Sequence, residues 1–109
     1  MAIYVLDRIT LKPGRLREYR ELLERSYLPG ARARGLELVG LFATPPLELE
    51  DVSNELLALW SLPDLAAFWR VRMRAASDPG VERFWRESED LILSRERRFL
   101  CRLDEARPA

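Results

Sequence analysis

Apolar and polar positions along the chain follow two different periods. From Ala2 to Leu11 they alternate in steps of two, with β-branched and aromatic residues in both phases and Asp7 and Arg8 interrupting one phase each. This predicts a strand buried on both faces. Lys12-Pro13-Gly14 predicts a tight turn, because proline presets φ and glycine tolerates a positive one. Between Arg15 and Tyr27 the period lengthens. Leu16, Tyr19, Leu22, Leu23 and Tyr27 recur at three- and four-residue steps among arginines and glutamates, the pattern of an amphipathic helix. Leu28-Pro29-Gly30 predicts a kink or break, after which Ala31 to Arg34 resume the helix and Gly35 caps it.

Leu36 to Thr44 reads as a second strand stopped by Pro45-Pro46, and Asn54 to Leu62 as a third, joined by an acidic connection with Glu48, Glu50 and Asp51. Pro63-Asp64 opens a helix whose Leu65, Phe68, Trp69, Arg72, Met73 and Ala76 form one stripe. Asp78-Pro79-Gly80 opens another, with Val81, Phe84, Trp85 and Ser88 on one side, continuing towards Leu91 or Ile92. Spacing assigns the aromatic residues of both stripes to the core. Arg95 to Leu103 reads as the last strand, with Arg97, Phe99, Cys101 and Leu103 on one face. Residues 1–104 form one domain in this reading, and 105–109 a frayed tail.

The order strand, helix, strand, strand, helix pair, strand predicts an α+β fold. It is the ferredoxin-like split βαβ arrangement, a four-stranded antiparallel sheet with an extra helix. Helices cover one face of such a sheet. Val5, Ile9, Leu56 and Trp60 are expected on the other face, which a second copy of the chain would cover. The expected assembly is a homodimer that closes into a dimeric α+β barrel with a central cavity.

Composition narrows the chemistry further. A chain of 109 residues suffices for one core. Basic and acidic residues balance at 18 each, so no global field points to nucleic acid or an anionic membrane. No stretch approaches the roughly 20 apolar residues of a spanning helix, and the opening segment reads as a strand rather than a signal. A lone cysteine, Cys101, excludes an intrachain disulfide and fits a reducing, cytoplasmic setting. Histidine is absent, which removes the usual haem and zinc ligand and the commonest general base. Glu48, Glu50 and Asp51 lack the spacing and central glycine of a calcium loop, so no metal and no cofactor is expected.

Ile3-Tyr4 followed by Leu11-Lys12-Pro13-Gly14, then Leu38-Val39-Gly40, Leu59-Trp60, Asp78-Pro79, and Ser94 with Glu96, occur in an order and spacing that resemble the NIPSNAP family over nearly the whole chain. The resemblance implies a dimeric α+β barrel. It implies less about activity, because that wider superfamily places monooxygenases, isomerases, haem enzymes and ligand sensors on one scaffold. The family often carries Glu and Arg on the first strand where this chain has Val5 and Asp7, and a His on the third where it has Ala58. If those positions face the barrel, the cavity is more apolar than in relatives, and Asp7 is its main charge.

Asp7 lies among apolar neighbours, where burial raises a carboxyl pKa and suits it to act as a general base. An ion pair with Arg97 or Arg8 competes with that role, since buried charges commonly persist by pairing. Trp60 is a candidate to stack on a planar ligand, with core packing as the plain alternative. Cys101 reads as a structural thiol, and Arg70, Arg72, Arg74, Arg83 and Arg86, diluted by Glu82, Glu87 and Glu89, as a salt-bridged surface. The expected function is a homodimer holding a small, largely apolar organic molecule, with Asp7, Trp60 and Arg97 at the site. The alternative is a cofactor-independent isomerase or monooxygenase in which Asp7 removes a proton from an acidic carbon and an arginine stabilises the anion. A purely structural dimerisation module is the third possibility.

Overall fold

In the computed structural model these periods become β1 (Ile3–Leu11), α1 (Leu16–Leu22), a π turn (Leu23–Tyr27), α2 (Leu28–Arg34), β2 (Glu37–Thr44), β3 (Glu55–Leu62), α3 (Leu65–Ala76), α4 (Pro79–Ser88), a short 3-10 turn (Glu89–Leu91) and β4 (Ile92–Leu100). The structure describes residues 1–104. The expected frayed tail, 105–109, lies outside the described residues. All strand pairs are antiparallel in the order β2-β3-β1-β4, the ferredoxin-like arrangement, with β1 and β3 in the centre.

The period of two settles which side chains meet the helices, and the outcome corrects one expectation. Val5, Asp7, Ile9 and Leu11 of β1, with Leu56, Ala58, Trp60 and Leu62 of β3, are all buried beneath the helical layer. They pack with Tyr19, Leu23, Tyr27 and Phe84. Val5, Ile9, Leu56 and Trp60 therefore face the helices, not the open side. The open side carries the other phase: Tyr4, Leu6, Arg8 and Thr10 of β1 opposite Ser61, Leu59, Leu57 and Glu55 of β3. Both phases are apolar in mid-strand, so alternation alone does not choose between them. β1 is accordingly buried on one face and half-exposed on the other.

Asp64 and Asp78 begin α3 and α4 as expected. Asp64 accepts a hydrogen bond from Ala67 N at 2.7 Å and Asp78 from Gly80 N at 2.8 Å, with Pro79 in the first turn of α4. Gly14 turns the chain after β1 at φ 73°, and a Cβ there would lie 2.9 Å from the Glu50 carbonyl oxygen. The expected break at Leu28-Pro29-Gly30 is absent. Proline lacks an N–H and crowds the carbonyl four residues earlier, and the π turn just before it widens the ladder so that α2 runs on from Leu28. Gly35 closes α2 in the left-handed region, φ 111°.

The stripe assigned to α3 is also corrected. Ala67 and Val71 are buried and Phe68 half-buried, whereas Leu65, Trp69 and Met73 are 58%, 53% and 73% exposed. Small and branched residues let α3 approach α2 and β3 closely, so size was a poor guide to the inward face. Trp69 is thus an exposed aromatic rather than a core one. β4 begins and ends three residues earlier than its pattern suggests, because the 3-10 turn ends the last helix at Leu91 and a register shift lies opposite Thr10 and Leu11. Cys101 and Leu103 fall beyond the strand, and Cys101 is an exposed free thiol. No helix among the described residues is long and apolar enough to cross a membrane.

Candidate functional site

Antiparallel pairing places Asp7 between Ala58 of β3 and Arg97 of β4. Ala58 is small, and Trp60, two residues along the same face, reaches over to Asp7. Its Nε1 donates to Asp7 Oδ2 at 3.0 Å. Arg97 donates through Nε to Oδ1 at 2.6 Å and through Nη2 to Oδ2 at 3.0 Å, a bidentate charge-assisted pair. The structure thus brings the three sequence-predicted residues, Asp7, Trp60 and Arg97, into one network. Arg8 points to the open face and bonds Glu55 instead.

Tyr27 joins this network from the π turn. Its hydroxyl accepts from Arg97 Nη2 at 3.4 Å, a long bond, and its ring meets Trp60 edge-on with centroids 5.8 Å apart. Burial disfavours the charged form of Arg97, but the hydrogen bond and charge of Asp7 outweigh it and raise the guanidinium pKa above its ordinary value. Burial, reinforced by the Asp7 charge, pushes the Tyr19 phenol up as well. The chemical consequence is a fixed cation at the edge of the network. Both Asp7 oxygens are engaged, which leaves the carboxylate poorly placed to take a substrate proton.

A pocket of about 390 Å³ opens beside this network, between the sheet and helices α2 and α3. Tyr27, Arg34, Leu62, Phe68, Arg97 and Phe99 are among its walls. Arg97 also borders a smaller cleft of about 290 Å³ shared with Asp7, Trp85 and Arg95. Trp60 is fully buried and borders neither. It reaches the pocket through Asp7 and Arg97, so its position is that of a support. A wider depression of about 460 Å³ beside α4 is lined by Glu82, Arg86, Glu89 and Arg95, charges of both signs.

Sequence reasoning missed Arg34, which enters from the end of α2 with its guanidinium 5.4 Å from the Tyr27 ring centroid. The signal was present in the spacing, since Tyr27, Ala31 and Arg34 lie on one helical face. Phe68, assigned to the core, is half-buried and forms a pocket wall. Among the described residues, no three His, Cys, Asp or Glu side chains converge on a metal site.

Solved structures share this architecture. A NIPSNAP-like domain protein from Burkholderia xenovorans superposes with a TM-score of 0.76 at 22% identity, covering 98% of this chain and 90% of that one. A NIPSNAP family protein from Agrobacterium tumefaciens gives 0.75 at 23% identity, covering 97% of each. SnoaB, a cofactor-independent oxygenase from Streptomyces nogalater, gives 0.59 at 18% identity, covering 99% and 95%. At these identities the likeness is one of fold. No curated protein matches the sequence. The family model of NIPSNAP matches residues 4–105, nearly the whole described chain, and so the chain belongs to the NIPSNAP family.

Proposed function

We propose that this NIPSNAP protein is a cytoplasmic homodimer that binds a small, largely apolar organic molecule, one per protomer, in the pocket between its sheet and helices α2 and α3. The observation that carries the reading is the pocket itself, about 390 Å³ with Leu62, Phe68 and Phe99 among its walls and Arg97 held at its edge. Apolar walls around a few oriented polar groups are the usual make-up of a small-molecule site. Asp7 and Trp60 contribute by fixing Arg97 rather than by meeting the ligand. The homodimer is supported by the open sheet face, where Leu6, Leu57 and Leu59 lie side by side. A second copy meeting that face leaves both pockets on the outside of the assembly.

Native mass spectrometry of the purified protein, under gentle and then denaturing conditions, tests both parts. A dimer carrying a reproducible extra mass per chain, lost on denaturation, is the expected result. A monomer at micromolar concentration removes the dimer, and protein that no added small organic molecule shifts in mass or melting temperature removes the ligand site.

The fold shared with SnoaB supports a second reading, a cofactor-independent oxygenase or isomerase with Asp7 as base. The engaged Asp7 oxygens favour binding over this chemistry.

A further inference from the structure

The walls of the pocket beside Tyr27 include three arginines, Arg34, Arg72 and Arg97, and no acidic side chain. Each arginine is differently employed. Arg97 donates to Asp7 through one edge of its guanidinium, Nε and Nη2. Arg72 rests over the Trp69 ring, 6.0 Å from its centroid. Arg34 is the most buried, its side chain only 7% exposed, with Nη1 on Asp78 Oδ2 at 3.0 Å. Its Nε and Nη2 are buried and have no hydrogen-bond partner among the described residues.

A buried guanidinium with two idle donors is uncommon, because N–H groups withdrawn from water are normally met by an acceptor. Asp78 neutralises Arg34 from the side of α4, and the remaining edge of the fork has the planar two-donor geometry that suits a carboxylate. Phe68, Leu62 and Phe99 supply an apolar bed in the same pocket. We propose that the ligand is an amphipathic organic carboxylate, its anion held by Arg34 and Arg72 and its hydrocarbon or aromatic body lying on Phe68, Leu62 and Phe99. This rests on the reading that the pocket binds a small molecule, and it adds the ligand's charge, its polarity and its orientation. A neutral hydrocarbon would leave the idle Arg34 donors unmet, and a cation would find no acidic side chain in the lining to pair with.

The test uses the intact chain with hexanoate, octanoate and phenylpropionate, each beside its primary amide, followed by calorimetry and by backbone NMR shifts. At least one carboxylate is expected to shift Phe68, Val71 and Phe99 and to bind roughly tenfold or more tightly than its amide, less so as salt is raised. Arg34→Gln also breaks the pair with Asp78 and so risks the fold. Arg72→Gln, on an exposed part of α3, avoids that risk and is expected to weaken the carboxylate severalfold, and by more than it weakens the matching amide. Amides that bind these residues as tightly as the acids overturn the carboxylate assignment and leave the pocket a ligand site. If no compound of either kind shifts the pocket residues, the carboxylate assignment and the pocket reading fall together.

Discussion

The side chain that most constrains this site is Asp7, because one carboxylate receives hydrogen bonds from two strands, Trp60 on β3 and Arg97 on β4. Asp7→Asn keeps the shape but removes the charge facing Arg97. The Arg97 side chain is 41% exposed, so water takes up part of the loss. A destabilisation of about 1–2 kcal/mol is therefore expected, below that of a fully buried pair. Urea unfolding reads it as a lower midpoint at unchanged slope. An unchanged midpoint would mean that the pair orients Arg97 without supporting the fold. The sequence made this partnership legible, since a charge in the middle of an apolar strand needs an opposite charge and Arg97 lies on a strand. It did not reveal Arg34. A helical arginine among other arginines reads as solvated by default, and only its phase with Tyr27 and Ala31 places it inside.

Among the elements, the first helical segment shows how local chemistry is absorbed rather than obeyed. Pro29 and Gly30 should interrupt it, yet the π turn Leu23–Tyr27 takes up the misfit and directs Tyr27 towards Trp60 and Arg97. The segment then ends sharply at Gly35, φ 111°, where an added Cβ would sit 3.4 Å from Val71 Cγ2. Gly35→Ala is expected to cost about 1–2 kcal/mol through the left-handed backbone alone. Thermal melts should show the lower midpoint, and a variant melting with the parent would mean that the cap relaxes to another conformation. The capping signals Asp64 and Asp78, the Gly14 turn and the order of elements were all readable, because each depends on neighbours in sequence. The inward face of α3 was not. Its buried residues, Ala67 and Val71, are smaller than its exposed ones, Trp69 and Met73, so the choice depends on how closely α2 and β3 approach.

For the whole molecule, the two faces of the sheet divide the work proposed for it. One holds the pocket and its arginines, and the other is the face proposed to meet a second copy. The face assignment escaped sequence reasoning because β1 and β3 are apolar in both phases, and only the position of the helices separates Val5 from Leu6. Phe42 on β2 lies opposite Leu57 and extends the open surface. Leu59→Glu, a charge in the middle of the proposed dimer face opposite Leu6, is expected to convert a dimer into a monomer by sedimentation while binding per chain is retained. A variant that still sediments as a dimer places the contact elsewhere on the surface.

The Asp7–Arg97 pair joins residues 90 positions apart and locks the first strand against the last. Ribosomes extend a chain at roughly 5–20 residues per second, so Asp7 is made roughly 5–20 s before its cation exists. Throughout that interval one edge of β1 has no neighbour, and the carboxylate at its centre must stay hydrated. The sheet can close around β1 only after β4 has been made, which leaves the growing chain, more than the folded domain, exposed to mispairing.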